Sequence, residues 1–321
     1  MRRGNDRRCR RETGTVALTV VLIVVVFATG DAQDLSDIPA AFVDVGIGAR
    51  PMGVGGAVSA ANLGPESIFY NPAGLSTPTS ETAFSVTHGE QMGLVPYSAA
   101  SVSHPLGSGL TLGVGVIHSG DDVLTETTLL IGAAREVLAT PWCEGKTIGV
   151  GVTARGRRAS FGNNESIDGQ VTGSASGFGF DVGALVPLTD AVTLGLGGRD
   201  IFNSLTWDSS VSGSYSENVP AGLTIGFRAV PHGHVAVEVD IEKSLRLDNP
   251  DRVFGGVELS LWDVADLRGG YRTVLASGDL DEYTVGAGAS LEAGSMRFSV
   301  DVAYVFGRLD NTMRFSLGAE L

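Results

Sequence analysis

Cysteine is nearly absent from this chain, which holds only Cys9 and Cys143 among 321 residues. So little cysteine excludes a disulfide framework and any cysteine-rich metal site, and we expect Cys143 to be a lone thiol in a turn. The 5 histidines are scattered along the sequence. The closest pair, His232 and His234, has no third ligand beside it, so no zinc site is predicted.

Catalytic motifs are also lacking. The sequence has neither a Gly-x-Ser-x-Gly elbow nor a glycine-rich loop that would cradle a nucleotide. Beyond residue 80 no stretch shows the periodicity of a helix of ordinary length. These absences predict a protein that is not an enzyme and that uses neither a cofactor nor a metal.

Basic residues are outnumbered, with 22 lysines and arginines against 36 acidic residues and a net charge of −14. So acidic a surface argues against binding to nucleic acid and against a polybasic attachment to lipid headgroups. It is compatible with solvated loops that face the outside of a cell.

The amino terminus differs from the rest of the chain. Six arginines lie within residues 1–11, an apolar run follows from Val16 to Ala28, and small residues precede a cut after Ala32. This order is typical of a secretory signal peptide, and we expect residues 1–32 to be removed. The run is shorter than the ~20 residues of a spanning helix, so a retained anchor is the weaker interpretation. Cleavage removes six arginines and three acidic residues, which lowers the net charge to −17.

From residue 81 onward, apolar residues alternate with small or polar ones in short runs. The clearest runs are His234–Glu242, Ser295–Phe306 and Met313–Leu321. A period of two with one uniformly apolar face is typical of a β-strand. Runs of this kind predict about fourteen strands of ~10 residues, the length of a tilted strand that crosses a bilayer.

The connections between these runs fall into two alternating classes. Short turns, such as 105–109 and 231–233, alternate with long polar loops, such as 203–219 and 276–282. This asymmetry favours an outer-membrane barrel with periplasmic short turns and both termini in the periplasm. A soluble β-sandwich would also alternate, but it rarely keeps so many strands in one domain. We therefore expect an all-β protein, an antiparallel transmembrane barrel over residues 81–321.

Charged residues within the strands indicate which face is turned to lipid. An arginine at mid-depth in lipid costs on the order of 2–4 kcal/mol, and an acid somewhat less. The charges must therefore face the lumen, while the valine, leucine and phenylalanine face meets the lipid of an outer membrane. The predicted lumen-facing charges are Arg155, Arg199, Arg228, Glu238, Asp240, Glu258, Arg268, Arg272, Arg297 and Asp301.

Glycines share the predicted inward face. They are Gly113, Gly115, Gly149, Gly151, Gly195, Gly197, Gly286 and Gly288. Small inward residues relieve crowding and let strands curve, or they clear room for a segment inside the barrel. Both explanations remain open from the sequence.

The stretch Val45–Leu75 fits no helical or strand period and is rich in glycine. Glycines permit left-handed backbone, the Asn71 amide bonds backbone groups, and Pro72 stiffens the exit towards the first strand. Arg50 is the one charge in the glycine-rich part, and we expect it to pair with an inward carboxylate. The motif residues are Gly48, Ala49, Arg50, Gly53, Gly55, Gly56, Asn71, Pro72, Ala73 and Gly74.

These motif residues resemble the N-terminal signature of the PorV/PorQ family, within the wider FadL-like group of outer-membrane barrels. The resemblance covers a tenth of the chain. It implies a fourteen-stranded barrel with the Asn-Pro-Ala element in a lumenal hatch, here residues 33–80. Its first functional implication is binding of secreted proteins in type IX secretion or surface attachment.

Two alternatives accompany this expectation. One is a FadL-like channel that takes up hydrophobic small molecules, such as long-chain fatty acids or hydrocarbons. The other is a structural barrel with no transport role. The charged and small inward residues favour the secretion role over fatty-acid uptake, because an uptake channel would be expected to hold an apolar ligand pocket.

Overall fold

A computed structural model describes residues 46–77, 81–91, 95–162, 170–245, 250–262, 264–275, 277–308 and 311–321. The predicted leader and the first part of the predicted hatch, residues 33–45, lie outside the described residues. Among the residues that the structure does describe, no helix is both long enough and apolar enough to cross a membrane.

The described chain is almost entirely β-structure. Three short helices come first: α1 (Ala49–Gly53) and the 3₁₀ helices η1 (Gly64–Phe69) and η2 (Pro72–Ser76). The strands are β1 (Ala83–Gln91), β2 (Val95–Gly107), β3 (Leu110–Gly120), β4 (Leu124–Ala139), β5 (Thr147–Phe161), β6 (Gly173–Pro187), β7 (Val192–Ser209), β8 (Gly213–Glu217), β9 (Gly222–His232), β10 (Val235–Ser244), β11 (Arg252–Leu261), β12 (Ala265–Val274), β13 (Ser277–Ala293), β14 (Met296–Gly307) and β15 (Asn311–Glu320).

The strands close into an antiparallel barrel. Except at β8 and β9, each strand pairs with the next one along the chain, and β1 pairs with β15 to complete the circle. Strand β7 pairs with β9 over its first half and with β8 over its second half, so β8 and β9 share one position in the wall. The barrel therefore has fourteen strand positions, and the prediction of an all-β barrel with about fourteen strands is confirmed.

The alternation along each strand separates an outer from an inner face. On β3, Leu112, Val114 and Val116 are exposed on the outside, while Thr111 is buried and faces inward. The neighbouring strands repeat this pattern, with exposed large apolar side chains such as Ile131 on β4. A continuous apolar outer face is what lipid requires of a barrel wall.

Both ends of the barrel chain meet at one rim. The amide of Leu321 donates to the carbonyl of Thr82 at 3.0 Å. We call this edge the terminal rim and the opposite edge the distal rim. The turn at 140–146 lies at the terminal rim, where Cys143 is buried.

Two predicted loops are strands instead. Residues 203–219 form the second half of β7 and all of β8, and residues 277–282 begin β13. Trp207 on β7 stacks on Tyr215 of β8, with ring centroids 6.5 Å apart. Cross-strand aromatic pairs of this kind stabilise a hairpin, but serines and glycines around them hide the alternation in the sequence.

The ladder of β7 is interrupted between its two partners. Its pairing with β9 ends at Arg199, and its pairing with β8 starts at Leu205. Asp200 in the gap has a positive φ of 52°. The Asn203 amide closes the gap, because it accepts from the Val219 amide at 2.8 Å and donates to the Val219 carbonyl at 3.0 Å.

Candidate functional site

Residues 46–77, which we call the lumen segment, lie inside the barrel. Helix η2 packs on β4, β5 and β6, η1 on β2 and β3, and α1 on β13 and β14. Nearly every residue of the segment is buried. The segment therefore fills the lumen and makes no part of the wall, as the glycine-rich pattern predicts.

Asn71 fixes the fold of the lumen segment at the start of η2. Its side-chain oxygen accepts from the Ala73 amide at 3.1 Å, which caps the helix. Its amide nitrogen donates to the carbonyl of Ser59 at 2.6 Å and to that of Ala184 in the wall at 3.3 Å. This one buried side chain thus joins the helix, an earlier part of the segment and strand β6.

Inward glycines of the wall make room for the lumen segment. A Cβ on Gly151 would lie 2.4 Å from the carbonyl carbon of Pro72, and one on Gly183 would lie 1.8 Å from Oδ1 of Asn71. Both separations are far below van der Waals contact. Six of the eight predicted inward glycines meet the segment in this way: Gly113, Gly115, Gly149, Gly151, Gly195 and Gly286. Close approach of the segment therefore explains most of them.

One half of the lumen is apolar. Ile68, Phe69 and Leu75 of the lumen segment pack with Tyr97 and Leu130 of the wall in a buried cluster. The one charged group against it is Arg314 among the described contacts, with its Cζ 5.6 Å from the centre of the Tyr97 ring. The segment is attached to strands β2 to β4 by apolar packing.

The other half of the lumen is charged. Arg50 binds Glu258 with its Nε 3.1 Å from Oε2, so the predicted pairing with an inward carboxylate is present. Burial lowers the pKa of the Arg50 guanidinium, but Glu258 outweighs this and raises that pKa above its ordinary value. Arg268 also binds Glu258 at 2.7 Å and Asp301 at 2.6 Å. The lumen segment is thereby tied into an ionic network of the wall.

Backbone amides of the lumen segment use a further wall carboxylate. The amides of Val58 and Ser59 both donate to Oδ2 of Asp240 at 2.8 Å. Charge-assisted bonds to backbone donors are stronger than neutral ones. Asp240 therefore holds a turn that has no regular secondary structure of its own.

The structure places the predicted lumen-facing charges on the inner side of the wall. Arg228 binds Glu238, and Arg155 donates to the carbonyl of Phe69 at 3.3 Å. The others contact the lumen segment, the ionic network around Arg268 or the cavities described below: Arg199, Asp240, Glu258, Arg268, Arg272, Arg297 and Asp301.

Two buried carboxylates on this face do not appear among the predicted residues. Asp181 binds Arg155 at 2.6 Å, and Asp200 binds Arg157 at 2.7 Å. Asp181 also accepts the amide of Asp200 at 2.9 Å, which supports the irregular part of β7. Asp181 lies two residues before the inward Gly183 on β6, so both residues face the lumen. The alternation along β6 could therefore have identified Asp181 as a lumen-facing charge.

Glu66 is a buried acid of the lumen segment, at 7% exposure. It accepts from the Ser85 hydroxyl at 2.6 Å. Burial raises the pKa of Glu66 to about 7, and Asp301 adds to this effect, whereas Ser85, Arg50 and Arg268 oppose it. The sequence shows no signal for this environment, because it depends on the docking of η1 against β1.

An open cavity lies on the distal side of the lumen segment. The segment contributes Met52, Tyr70 and Gly56, and the wall contributes mainly charged residues. Those wall charges are Arg199, Asp240, Glu242, Arg252 and Arg272. The cavity thus has an apolar floor and a charged wall.

A second open cavity lies on the side of the terminal rim. Arg50, Pro65 and Glu66 line it from the lumen segment, and Arg297 and Asp301 line it from β14. The lumen segment therefore separates two cavities that open towards opposite rims.

The remaining motif residues serve close packing in the segment. Gly55 has a φ of 72°, and a Cβ there would lie 2.8 Å from backbone atoms of Tyr271. Only glycine fits such a position. The structure places Gly48, Ala49, Gly53, Gly56, Pro72, Ala73 and Gly74 in the same buried segment. In the part of the chain that is described, no three histidine, cysteine, aspartate or glutamate side chains form a metal site.

Comparison with known proteins finds likeness in structure alone. No protein-family model matches the chain, and no curated protein matches it in sequence. Among solved structures, the chain is similar to the monoaromatic hydrocarbon channel CymD, with a TM-score of 0.61 and 14% identity over 87% of this chain and 98% of that one.

Two further solved structures have the same fold. The toluene transporter TbuX of Ralstonia pickettii has a TM-score of 0.57 and 14% identity over 86% of this chain and 98% of that one. A FadL homologue of Pseudomonas aeruginosa has a TM-score of 0.58 and 11% identity over 85% of this chain and 97% of that one. At such low identity these likenesses establish the barrel fold and leave the cargo open.

Proposed function

We propose that this protein is a non-enzymatic outer-membrane channel of the FadL-like type that takes up small hydrophobic molecules, with the lumen segment as its hatch. The observation that carries the proposal is the position of the lumen segment. It closes the barrel and leaves an open cavity on each side. In this proposal the terminal rim faces the periplasm and the distal rim faces the cell exterior.

The apolar half of the lumen supports uptake of an apolar cargo. Ile68, Phe69 and Leu75 of the lumen segment form an apolar cluster there with Tyr97 and Leu130 of the wall. Pockets for small molecules combine such surfaces with a few polar groups that fix orientation. The fold neighbours add support, because two of them are named as channels or transporters of monoaromatic hydrocarbons and toluene.

We rank this channel ahead of the secretion role that the PorV/PorQ resemblance implies. The motif residues that carry the resemblance are buried in the lumen, as Asn71 and Ala73 illustrate. A protein bound to either rim would not contact them while the segment stays docked. A structural barrel without transport ranks last, because such a barrel has no need of an internal segment with a cavity on either side.

Uptake assays test the proposal directly. The full chain is reconstituted in vesicles whose outer leaflet contains lipopolysaccharide, and uptake of radiolabelled toluene and oleate is measured. We expect saturable uptake above that of protein-free vesicles. No uptake by a correctly folded barrel would contradict the proposal, and capture of secreted proteins without uptake would favour the secretion role.

The variant Asn71→Asp tests whether the lumen segment is the gate. The change removes both donors of the amide and adds a buried charge, so we expect the segment to loosen and uptake to become faster and no longer saturable. Asn203→Asp is the matched control, since the described hydrogen bonds of the Asn203 side chain are to Asp200 and Val219 and none of these reaches the lumen segment. If both variants change uptake equally, the segment is not the gate.

A further inference from the structure

The lumen segment crosses the charged half of the barrel as a thin partition. Val54 fits against Gly256, Gly55 against Gly270 and Gly53 against Gly286, in each case too closely for a Cβ on the wall glycine. The partition, residues 49–56, therefore lies across β11, β12 and β13 near mid-height. Helix α1 supplies its first five residues.

Charged side chains line the wall on both sides of the partition. On the distal side, Glu242 binds Arg199 at 2.8 Å and also binds Arg252. On the side of the terminal rim, Arg268 binds Glu258 and Asp301. Strands β11 and β12 pass through both charged groups. Gly256 and Gly270, which pair with each other across these strands, lie between the distal group and the group on the terminal side. The charged lining thus runs from one cavity to the other and is interrupted only by the partition.

Such a lining is unsuited to an apolar cargo. A hydrophobic molecule that passed along it would remove water from these ionic groups without offering them partners, which is costly. Ionisable residues within a membrane protein commonly mark the path of an ion or a polar solute. The two halves of the lumen therefore differ in the kind of molecule that they suit.

Few polar attachments hold the partition in place. Its side-chain ion pair is that of Arg50 with Glu258, and Arg50 is 34% exposed to the cavity at the terminal rim. Two hydroxyls bind its backbone: Ser316 accepts from the Ala49 amide at 2.8 Å, and Thr284 donates to the Gly53 carbonyl at 3.0 Å. Glu258 keeps Arg268 as a partner if Arg50 leaves, so release of Arg50 does not leave Glu258 as an unpaired buried charge.

We propose that the two cavities are the ends of an axial, water-filled route for small inorganic ions, closed by residues 49–56 and latched by the ion pair of Arg50 with Glu258. This activity goes beyond the proposed uptake of hydrophobic molecules and does not depend on it. Release of Arg50 removes a positive charge from the narrow part of the route. Glu238, Glu258 and Asp301 then outnumber Arg228 and Arg268 there, so the open route favours cations.

Conductance in planar bilayers tests the proposal. The full-length protein and its variants are compared in potassium chloride, and ion preference is taken from the reversal potential under a salt gradient. We expect the wild-type protein to be mostly closed. Arg50→Ala should raise the open probability about tenfold with a preference for potassium, since loss of one partly buried ion pair shifts an equilibrium by about this factor. Arg50→Lys should stay close to wild type.

Arg199→Ala is the matched control. It also removes an ion-paired arginine from the edge of a cavity, but Arg199 belongs to the wall and leaves the partition attached. We expect this variant to remain closed. Glu258→Gln tests the same latch from the wall and should open the route even if Arg50→Ala fails to fold.

Three results would overturn the proposal. They are closed behaviour of folded Arg50→Ala and Glu258→Gln barrels, equal opening in Arg199→Ala, and opening of Arg50→Ala without a preference for cations. Folding of each barrel is checked by its heat-dependent mobility in detergent gels. Ion conduction without toluene or oleate uptake would contradict the proposed function alone, whereas uptake without latch-dependent conduction would contradict the ion route alone.

Discussion

At the scale of single residues, Glu66 couples docking of the lumen segment to pH. Its pKa of about 7 in the docked segment lies above its ordinary value of 4.5. Docking therefore favours the protonated form. The stabilisation is complete below pH 4.5 and is lost as the pH rises through 7, where the buried carboxyl ionises.

We predict that lowering the pH from 8 to 5 strengthens docking of the lumen segment by roughly 3 kcal/mol. Amide hydrogen exchange of residues 46–77, corrected for the intrinsic effect of pH, measures this change. Glu66→Gln keeps an oxygen that accepts from Ser85 but cannot ionise. We expect this variant to dock firmly at both pH values, and a wild-type pH dependence in it would rule out Glu66 as the titrating group.

Individual residues also show where sequence reasoning succeeds. The sequence predicts that Arg50 pairs with a carboxylate, because a single cation inside a lumen lined by carboxylates is expected to form an ion pair with one of them. The identity of Glu258 is not predictable, since it depends on where the partition meets β11. Glu66 escapes prediction for the same reason: its burial is a property of packing between elements that are distant in sequence.

At the scale of elements, strand β5 shows how a wall is shaped around its contents. Every second residue faces inward, and Gly151 lies where Pro72 and Ala73 of the lumen segment approach the wall. Gly156 of the same strand faces outward, and a Cβ there would meet nothing within 4 Å. Contact with the lumen segment therefore explains the glycine at position 151, whereas no contact explains the glycine at position 156.

We predict that Gly151→Ala destabilises docking of the lumen segment by about 1–3 kcal/mol, because backbone atoms of η2 must move to admit the methyl group. Gly156→Ala should change stability by less than about 0.5 kcal/mol. Limited proteolysis of residues 46–77 in folded barrels reports the docking. Equal sensitivity of both variants to protease would show that inward glycines serve the wall itself.

Elements of the barrel were predictable to different degrees. Strand β10, Val235–Ser244, is predicted to within two residues by the run His234–Glu242, because its valines and Ile241 form one uninterrupted apolar face. Strand β8 was missed, since Gly213, Ser214 and Ser216 give no apolar face and its stability comes from pairing with β7. The sequence could not show whether the inward glycines relieve crowding in the wall or make room for an internal segment. The structure decides between these explanations because it shows where the lumen segment meets the wall.

At the scale of the whole molecule, the lumen has two unlike halves. Apolar packing joins the lumen segment to β2, β3 and β4, whereas an ion pair and charge-assisted bonds join it to β10 and β11. Ion pairs exchange partners with water and neighbouring charges more readily than a packed cluster separates. Movement of the segment is therefore expected to start on the charged half.

The 3 tryptophans of the chain test how the whole barrel sits in a membrane. Trp142 and Trp262 lie in turns at the terminal rim and are 43% and 82% exposed, whereas Trp207 is 6% exposed. Aromatic side chains gather at the interfaces of a barrel with the bilayer. We predict that lipids brominated near the headgroup quench Trp142 and Trp262 and spare Trp207.

Single Trp→Phe variants assign the fluorescence. Trp142→Phe and Trp262→Phe should each lower the fraction that brominated lipid quenches, and Trp207→Phe should remove the fraction that resists quenching. An aqueous quencher should leave Trp207 equally protected, because its ring lies between Phe161 and Tyr215. Strong quenching of Trp207 by brominated lipid would mean that the second half of β7 turns its aromatic face to the bilayer, and the assignment of inner and outer faces would have to be reversed there.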